Sequence, residues 1–168
     1  MGRDKALLKV GGRRVIDVLV ERYAGRRVLV ASGRRRIPRL GARQVPDPEG
    51  LEGPLAGLAA GLKAARTPWA LLASCDQPPP PAGVLEVLWR RRRGLSSALT
   101  RGGRPLPFPA LYHRAALARI RAGDGPRALL ESLPGARIPA PRGVRATGWN
   151  TRAAFRRLGR LTLGSPPP

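Results

Sequence analysis

The residues able to do chemistry in this chain are few and widely spaced. Asp76 closes the stretch Trp69-Ala-Leu-Leu-Ala-Ser-Cys75 and stands two residues before a run of four prolines, Pro78 to Pro81. An apolar run without alternation predicts a strand buried on both faces, as in parallel α/β sheets. Prolines cannot continue a central strand, so the strand must stop there. Asp76 is therefore expected at the carboxyl end of a central strand, the edge where open α/β sheets bind ligands. A carboxylate in that place suits a hard cation such as Mg2+, held jointly with substrate phosphates. Aspartate is equally at home capping a turn or helix, and the local sequence does not choose between the two. Asp47, in Gly41-Ala-Arg-Gln-Val45-Pro46-Asp47, is a second carboxylate at a strand end, or a turn initiator between two prolines. Gly50-Leu-Glu-Gly53-Pro54-Leu55-Ala56-Gly57 is a glycine-rich loop entering a helix, with Pro54 well placed at the first helical position. Its N–H groups would suit an anion or a polar base, and its glycines would admit a ligand or another backbone. Taken alone, Lys5 reads as an exposed lysine near a terminus. His113 is the only histidine and has no second histidine or cysteine cluster to join, which argues against zinc. Cys75 is the only cysteine, so no internal disulfide exists.

The elements that must position these residues follow from periodicity. Arg14 to Ala24 carries Val15, Ile16, Leu19, Val20 and Tyr23 at helical spacing, with Gly25 as a stop. Arg26 to Gly33 reads as a strand running into a turn, and Gly41 to Asp47 as a short strand. A helix is expected from Pro54 to Ala65, then the Trp69 strand, then a helix over Ala82 to Arg93. Leu95 to Thr100 reads as a strand and Arg101-Gly-Gly-Arg104 as a turn. Pro105 to Tyr112 is extended, and its three prolines argue for an edge or irregular strand. Short helices are expected at Ala115 to Ala122 and Pro126 to Leu133, and a last short strand at Ala136 to Pro139. Asn150 or Thr151 is a natural N-cap for a final helix, Arg152 to Leu163. Helices alternating with strands predict an α/β domain with a mostly parallel sheet. One domain is expected over residues 1–163, followed by a disordered tail at 164–168.

The charge of +22 invites a nucleic-acid reading, because basic domains gain affinity by releasing phosphate counterions. All but three of the 32 basic residues are arginine, however, and they are scattered from Arg3 to Arg160. That pattern matches a general compositional bias better than a binding patch. The densest run, Arg90 to Arg93, falls at the end of an expected helix, where cations complement the helix dipole. Aromatic residues make up only 4% of the chain, too few for base-stacking platforms. No apolar stretch is long enough to cross a bilayer, and no leader opens the sequence, so a soluble cytoplasmic protein is the default expectation.

Several motifs then fall in a telling order. They are Met1-Gly2-x-Asp4-Lys5-Ala-Leu-Leu, Asp47, Gly53-Pro54-Leu55-Ala56-Gly57, Cys75-Asp76-x-Pro78, Arg104-Pro-Leu with Ala110-Leu-Tyr112, and Asn150-Thr151. In this order the chain resembles the molybdenum cofactor guanylyltransferases of the nucleotidyltransferase superfamily, over nearly its whole length. The resemblance implies a three-layer α/β/α, Rossmann-like domain. It implies transfer of GMP from GTP to molybdopterin with release of pyrophosphate and Mg2+ as cofactor. Such transfer depends on positioning and charge neutralisation. By resemblance, Lys5 steadies the triphosphate and Asp76 holds Mg2+ against the phosphates. Asp47 helps bind the nucleotide through its guanine, Gly53, Pro54, Leu55 and Gly57 form a wall near the base, and Asn150 sits near the second substrate or the metal. GTP and molybdopterin are the implied substrates, and molybdoenzymes or other cofactor-biosynthesis proteins the implied partners, with no specific nucleic acid and no membrane.

Three departures from the family pattern carry expectations of their own. The family places a buried strand and a Leu-x-Gly-Gly-x-Ser-x-Arg loop ahead of its Met-Gly, and this chain begins at that Met. A sheet lacking that first strand should leave unpaired edges on both neighbours. The family's Asn at the end of the second strand corresponds to Gly33, and one of the two asparagines of Asn-x-Asn-Thr is replaced in Gly148-Trp149-Asn150-Thr151. Two other functions remain open to the sequence. One is a related transferase using CTP or a sugar phosphate. The other is a non-catalytic relative that binds a partner or a polyanion through its arginines.

Overall fold

A computed structural model describes residues 5–23, 25–33, 36–77, 79–81 and 83–144. The expected N-cap at Asn150 or Thr151, the final helix and the tail at 164–168 lie outside the described residues. In chain order the strands are β1 (Lys9–Val10), β2 (Arg13–Arg14), β3 (Leu29–Ala31), β4 (Arg43–Val45), β5 (Trp69–Leu72), β6 (Ser96–Arg101), β7 (Arg104–His113) and β8 (Gly135–Pro139). The helices are α1 (Val15–Arg22), α2 (Gly53–Ala64), α3 (Val84–Arg90) and α4 (Pro126–Ser132), with 3₁₀ segments at Lys5–Leu7 and Arg114–Arg119.

Alternation along the strands divides the core into two layers of side chains. Ala98 of β6 and Ala110 and Tyr112 of β7 face Leu55, Leu58 and Leu62 of α2 and Leu129 and Leu130 of α4. Their neighbours Leu99 and Leu111 face the other way, onto Val84 and Leu88 of α3 and Ile138 of β8. Helices on both faces of a sheet make the three-layer α/β/α arrangement the sequence predicts. Each fully buried leucine contributes about 1.5–3 kcal/mol of transfer free energy, and Leu88, Leu99 and Leu130 are all 0% exposed. Two smaller clusters pack α1 against its surroundings, one through Val15 and Leu19 and the other through Ile16.

The expectation of a mostly parallel sheet needs correction. The main sheet has the order β5-β7-β6-β8, and β7 runs antiparallel to both its neighbours. The cause is Gly102-Gly103, both with positive φ, which closes a tight two-residue hairpin between β6 and β7. Parallel pairing survives between β6 and β8 and between β3 and β4. β7 is also not an edge strand, despite its three prolines. Its ladder with β5 uses Ala110 to His113, all of which keep their N–H groups, and Pro105, Pro107 and Pro109 lie before it.

β5 in turn is an edge of the main sheet rather than its centre. It pairs only with β7 among the described residues, as β3 pairs only with β4. Both faces of β5 carry apolar packing, Ala70 and Leu72 on the α2 side and Trp69 and Leu71 on the α3 side. All four residues nevertheless stay half-buried, where full burial is expected from the sequence.

Several arginines have structural partners. Arg90 pairs with Glu86 one helical turn away at 3.0 Å, and Arg92 lies over the Trp89 ring at 3.7 Å. Arg137 donates to the carbonyls of Leu130 and Leu133, closing the last turn of α4.

Candidate functional site

Asp76 lies four residues beyond Leu72, the last residue of β5, in the turn at the strand's carboxyl end. What brings Lys5 to it is packing one residue away on each side. Ala6, 8% exposed, belongs to a cluster with Ile16, Val30 and Ile37, and Cys75 packs against the same cluster. With Ala6 and Cys75 anchored in one apolar group, their chain neighbours Lys5 and Asp76 are left at its polar rim. Lys5 Nζ stands 3.7 Å from Asp76 Oδ2, with about 30% of each side chain exposed. An ion pair so wet contributes only about 0–1 kcal/mol to stability. Both charges stand at the carboxyl end of β5, the side on which open α/β sheets bind ligands.

Ser74 adds a contact that sequence reading passed over. Its hydroxyl donates to Asp76 Oδ1 at 2.6 Å. The signal was available, since a serine two residues before an aspartate in a turn can hydrogen-bond within that turn.

Asp47 lies just past β4 and beside Gly33, at the adjoining end of the parallel strand β3. Burial raises the Asp47 carboxyl above the usual carboxylate range, and a hydrogen bond from the Gly33 backbone partly opposes the shift. Asp47 Oδ1 is buried and has no hydrogen-bond partner among the described residues. A buried acceptor left open costs about 1–3 kcal/mol and awaits a donor. The shift also sets a pH dependence. A carboxyl whose folded value is raised favours the fold at pH below its unfolded value of about 3.9, and that contribution is lost as pH rises through the folded value. Asp47→Asn is therefore expected to raise Tm at pH 7 and to leave it unchanged below about pH 4. Thermal melts of both proteins across this range check it, and a stabilising difference that persists at low pH counts against the burial argument.

The glycine-rich segment divides between scaffold and site. Leu55 and Ala56 are 2% and 0% exposed and belong to the core, so the Leu55 side chain cannot face a ligand. Gly57 sits against β3, where an added Cβ would come 3.1 Å from the Ala31 Cβ. Gly53, with φ of 64°, and Pro54 are exposed at the start of α2, whose N-cap Glu52 makes no side-chain cap bond. Gly53, Pro54 and the first-turn backbone are thus the parts of this segment open to a ligand. Asn150 lies outside the described residues.

The described residues contain no group of three or more His, Cys, Asp or Glu side chains able to hold a metal. A protein cage is therefore not on offer among them. A single carboxylate beside an ammonium matches the donor set of Mg2+ sites that are completed by substrate phosphates. Asp76 is the residue here that fits this role. No described helix is long and apolar enough to cross a membrane.

Known proteins place the chain. A family model described as the MobA-like NTP transferase domain matches residues 1–137. A molybdenum cofactor guanylyltransferase of Serratia proteamaculans is 32% identical over 126 residues, covering 71% of this chain and 64% of the relative. A probable molybdenum cofactor guanylyltransferase of Deinococcus radiodurans is 38% identical over 125 residues, with the same coverage of 71% and 64%. The chain thus spans 64% of the length of these curated relatives. The crystal structure of molybdopterin-guanine dinucleotide biosynthesis protein A from Archaeoglobus fulgidus superposes with a TM-score of 0.70 at 21% identity, over 95% of this chain and 91% of that one. This likeness bears out the nucleotidyltransferase fold.

Proposed function

Since the chain belongs to the MobA-like NTP transferase family, we propose that it transfers GMP from GTP to molybdopterin, releasing pyrophosphate. The observation that carries this reading is the Lys5–Asp76 pair at the carboxyl end of β5, set at the rim of a shared apolar cluster. The names of the two curated relatives support the choice of GTP and molybdopterin. The reaction joins the terminal phosphate of molybdopterin to the α-phosphorus of GTP. Asp76 would hold Mg2+ there, and the ion would supply charge neutralisation for the phosphates. Lys5, on its flexible stem, exchanges the Asp76 carboxylate for the triphosphate. The open Asp47 acceptor takes an N–H of the guanine, and the exposed start of α2 at Gly53 and Pro54 borders the base. Asn150 serves the second substrate. With no membrane-crossing helix among the described residues, the cytoplasm is the natural compartment for these soluble substrates. Molybdoenzymes or other cofactor-biosynthesis proteins would then receive the product.

A thermal-shift series with Mg2+ plus GTP, CTP, ATP or UTP tests the nucleotide. A ligand at about 100 times its Kd adds roughly 2.7 kcal/mol. At roughly 2–4 °C per kcal/mol for a domain of this size, GTP should raise Tm by about 5–11 °C and the others far less. A rise confined to CTP would move the assignment to a cytidylyl transfer. Absence of any rise, with steeply salt-dependent binding to random DNA, would favour a non-catalytic polyanion binder.

A further inference from the structure

We propose that Ser74 is a positioning residue that reserves one oxygen of Asp76 for the metal and thereby favours Mg2+ over Ca2+. The proposal rests on the reading of Asp76 as the metal-holding carboxylate. The two oxygens of Asp76 have different surroundings. Oδ1 accepts the Ser74 hydroxyl at 2.6 Å, while Oδ2 faces Lys5 Nζ at 3.7 Å. The two contacts differ in how easily they can be given up. Lys5 carries its charge on a flexible four-carbon stem and can move to a phosphate. Ser74 is tied to the same turn as Asp76, with its carbonyl accepting the Gln77 N–H at 3.4 Å and its Oγ lying 3.5 Å from the Asp76 backbone nitrogen. A hydrogen bond from a hydroxyl to an ionised carboxylate, at this short length, is of the strong, charge-assisted kind. A cation reaching Asp76 therefore meets Oδ2, with Oδ1 engaged.

That asymmetry selects between ions. Mg2+ demands near-octahedral coordination and is held through one or two carboxylates plus substrate phosphates, whereas Ca2+ accepts six to eight ligands and readily grips a carboxylate through both oxygens. A two-oxygen grip on Asp76 would compete with the Ser74 bond. A one-oxygen grip keeps the bond, and the bond in turn holds the carboxylate's orientation. Ser74 touches neither nucleotide nor metal in this scheme and acts through Asp76.

The test reads binding without turnover. Mn2+ is titrated into GTP-saturated protein and followed by its electron paramagnetic resonance, then displaced by Mg2+ or by Ca2+. Ser74→Ala is expected to weaken Mg2+ about 5–10-fold, the size of one hydrogen bond, and to leave Ca2+ no weaker or to tighten it, so that discrimination falls. Ser74→Thr, which keeps the hydroxyl, should restore the ratio. An unchanged ratio in Ser74→Ala, or equal losses for both ions, overturns the proposal while Mn2+ binding that disappears in Asp76→Asn upholds the metal role of Asp76. Mn2+ binding that is absent, or is indifferent to Asp76→Asn, overturns the metal role and this proposal together.

Discussion

Asp76→Asn is expected to lower Mg2+-dependent nucleotidyl transfer by at least about 10³-fold while leaving the fold intact. A thousandfold is about 4 kcal/mol of transition-state stabilisation, within the several kcal/mol that a metal's charge neutralisation supplies. Asparagine has the same shape, and its carbonyl oxygen can still accept the Ser74 hydroxyl that Oδ1 accepts now. What it loses is the charge facing Lys5, in a pair about 30% exposed on each side. Such a pair contributes at most about 1 kcal/mol to stability, so Tm should move by no more than about 4 °C. The contrast between a large kinetic effect and a small thermal one is what identifies a ligand-directed carboxylate. Steady-state rates and melts on the same preparations measure both. A variant that keeps wild-type turnover would remove Asp76 from the metal site.

The second large effect belongs to the scaffold. Gly135→Ala is expected to destabilise the protein by more than about 3 kcal/mol, beyond the ordinary range for overpacking, and to lower Tm by more than about 6 °C. Gly135 opens β8 and pairs with Ser96 of β6. A Cβ there would fall onto the Ser96 carbonyl and hydroxyl, well inside the 3.0 Å that real Cβ contacts respect. Nothing flexible can yield, because Ser96 is 0% exposed and its Oγ also accepts from Arg137 at 3.0 Å. Gly61→Ala is the matched control. Gly61 lies within α2 with nothing within 4 Å of an added Cβ, so alanine should stabilise by about 0.5–1 kcal/mol through helix propensity. Chemical denaturation of the two variants separates the cases, and similar stabilities would contradict the close approach of β8 to β6.

Much of this arrangement is legible in the sequence, and the parts that are not share a cause. The apolar run from Trp69 places a strand because that signal is local, although the strand ends at Leu72, short of Asp76 and the prolines. Helical spacing locates α1, α2 and α4 to within a few residues for the same reason. Strand order is not local. β7 sits inside the sheet because its N–H-bearing half, Ala110 to His113, is the half that meets β5, and prolines counted without a register cannot reveal that. β5 loses its expected central place on the same ground, through a partner on one edge only among the described residues. The β1–β2 hairpin is different, since Gly11-Gly12 between Val10 and Arg13 is a turn signal that a hairpin search could have used. At the site, motif order brings Lys5 and Asp76 into one hypothesis, and packing of Ala6 and Cys75 against a common cluster supplies the reason they meet. The side-chain fate of Leu55 in the core required the folded chain.

The most direct test of the proposed activity is product formation. GTP, Mg2+ and molybdopterin are incubated with the full chain, and pyrophosphate and the guanine dinucleotide are quantified together. The expected result is equimolar release of both, dependent on Mg2+ and on molybdopterin, and lost in Asp76→Asn. Pyrophosphate formed from CTP but not GTP, or no dinucleotide from a chain that binds GTP, would contradict the assignment.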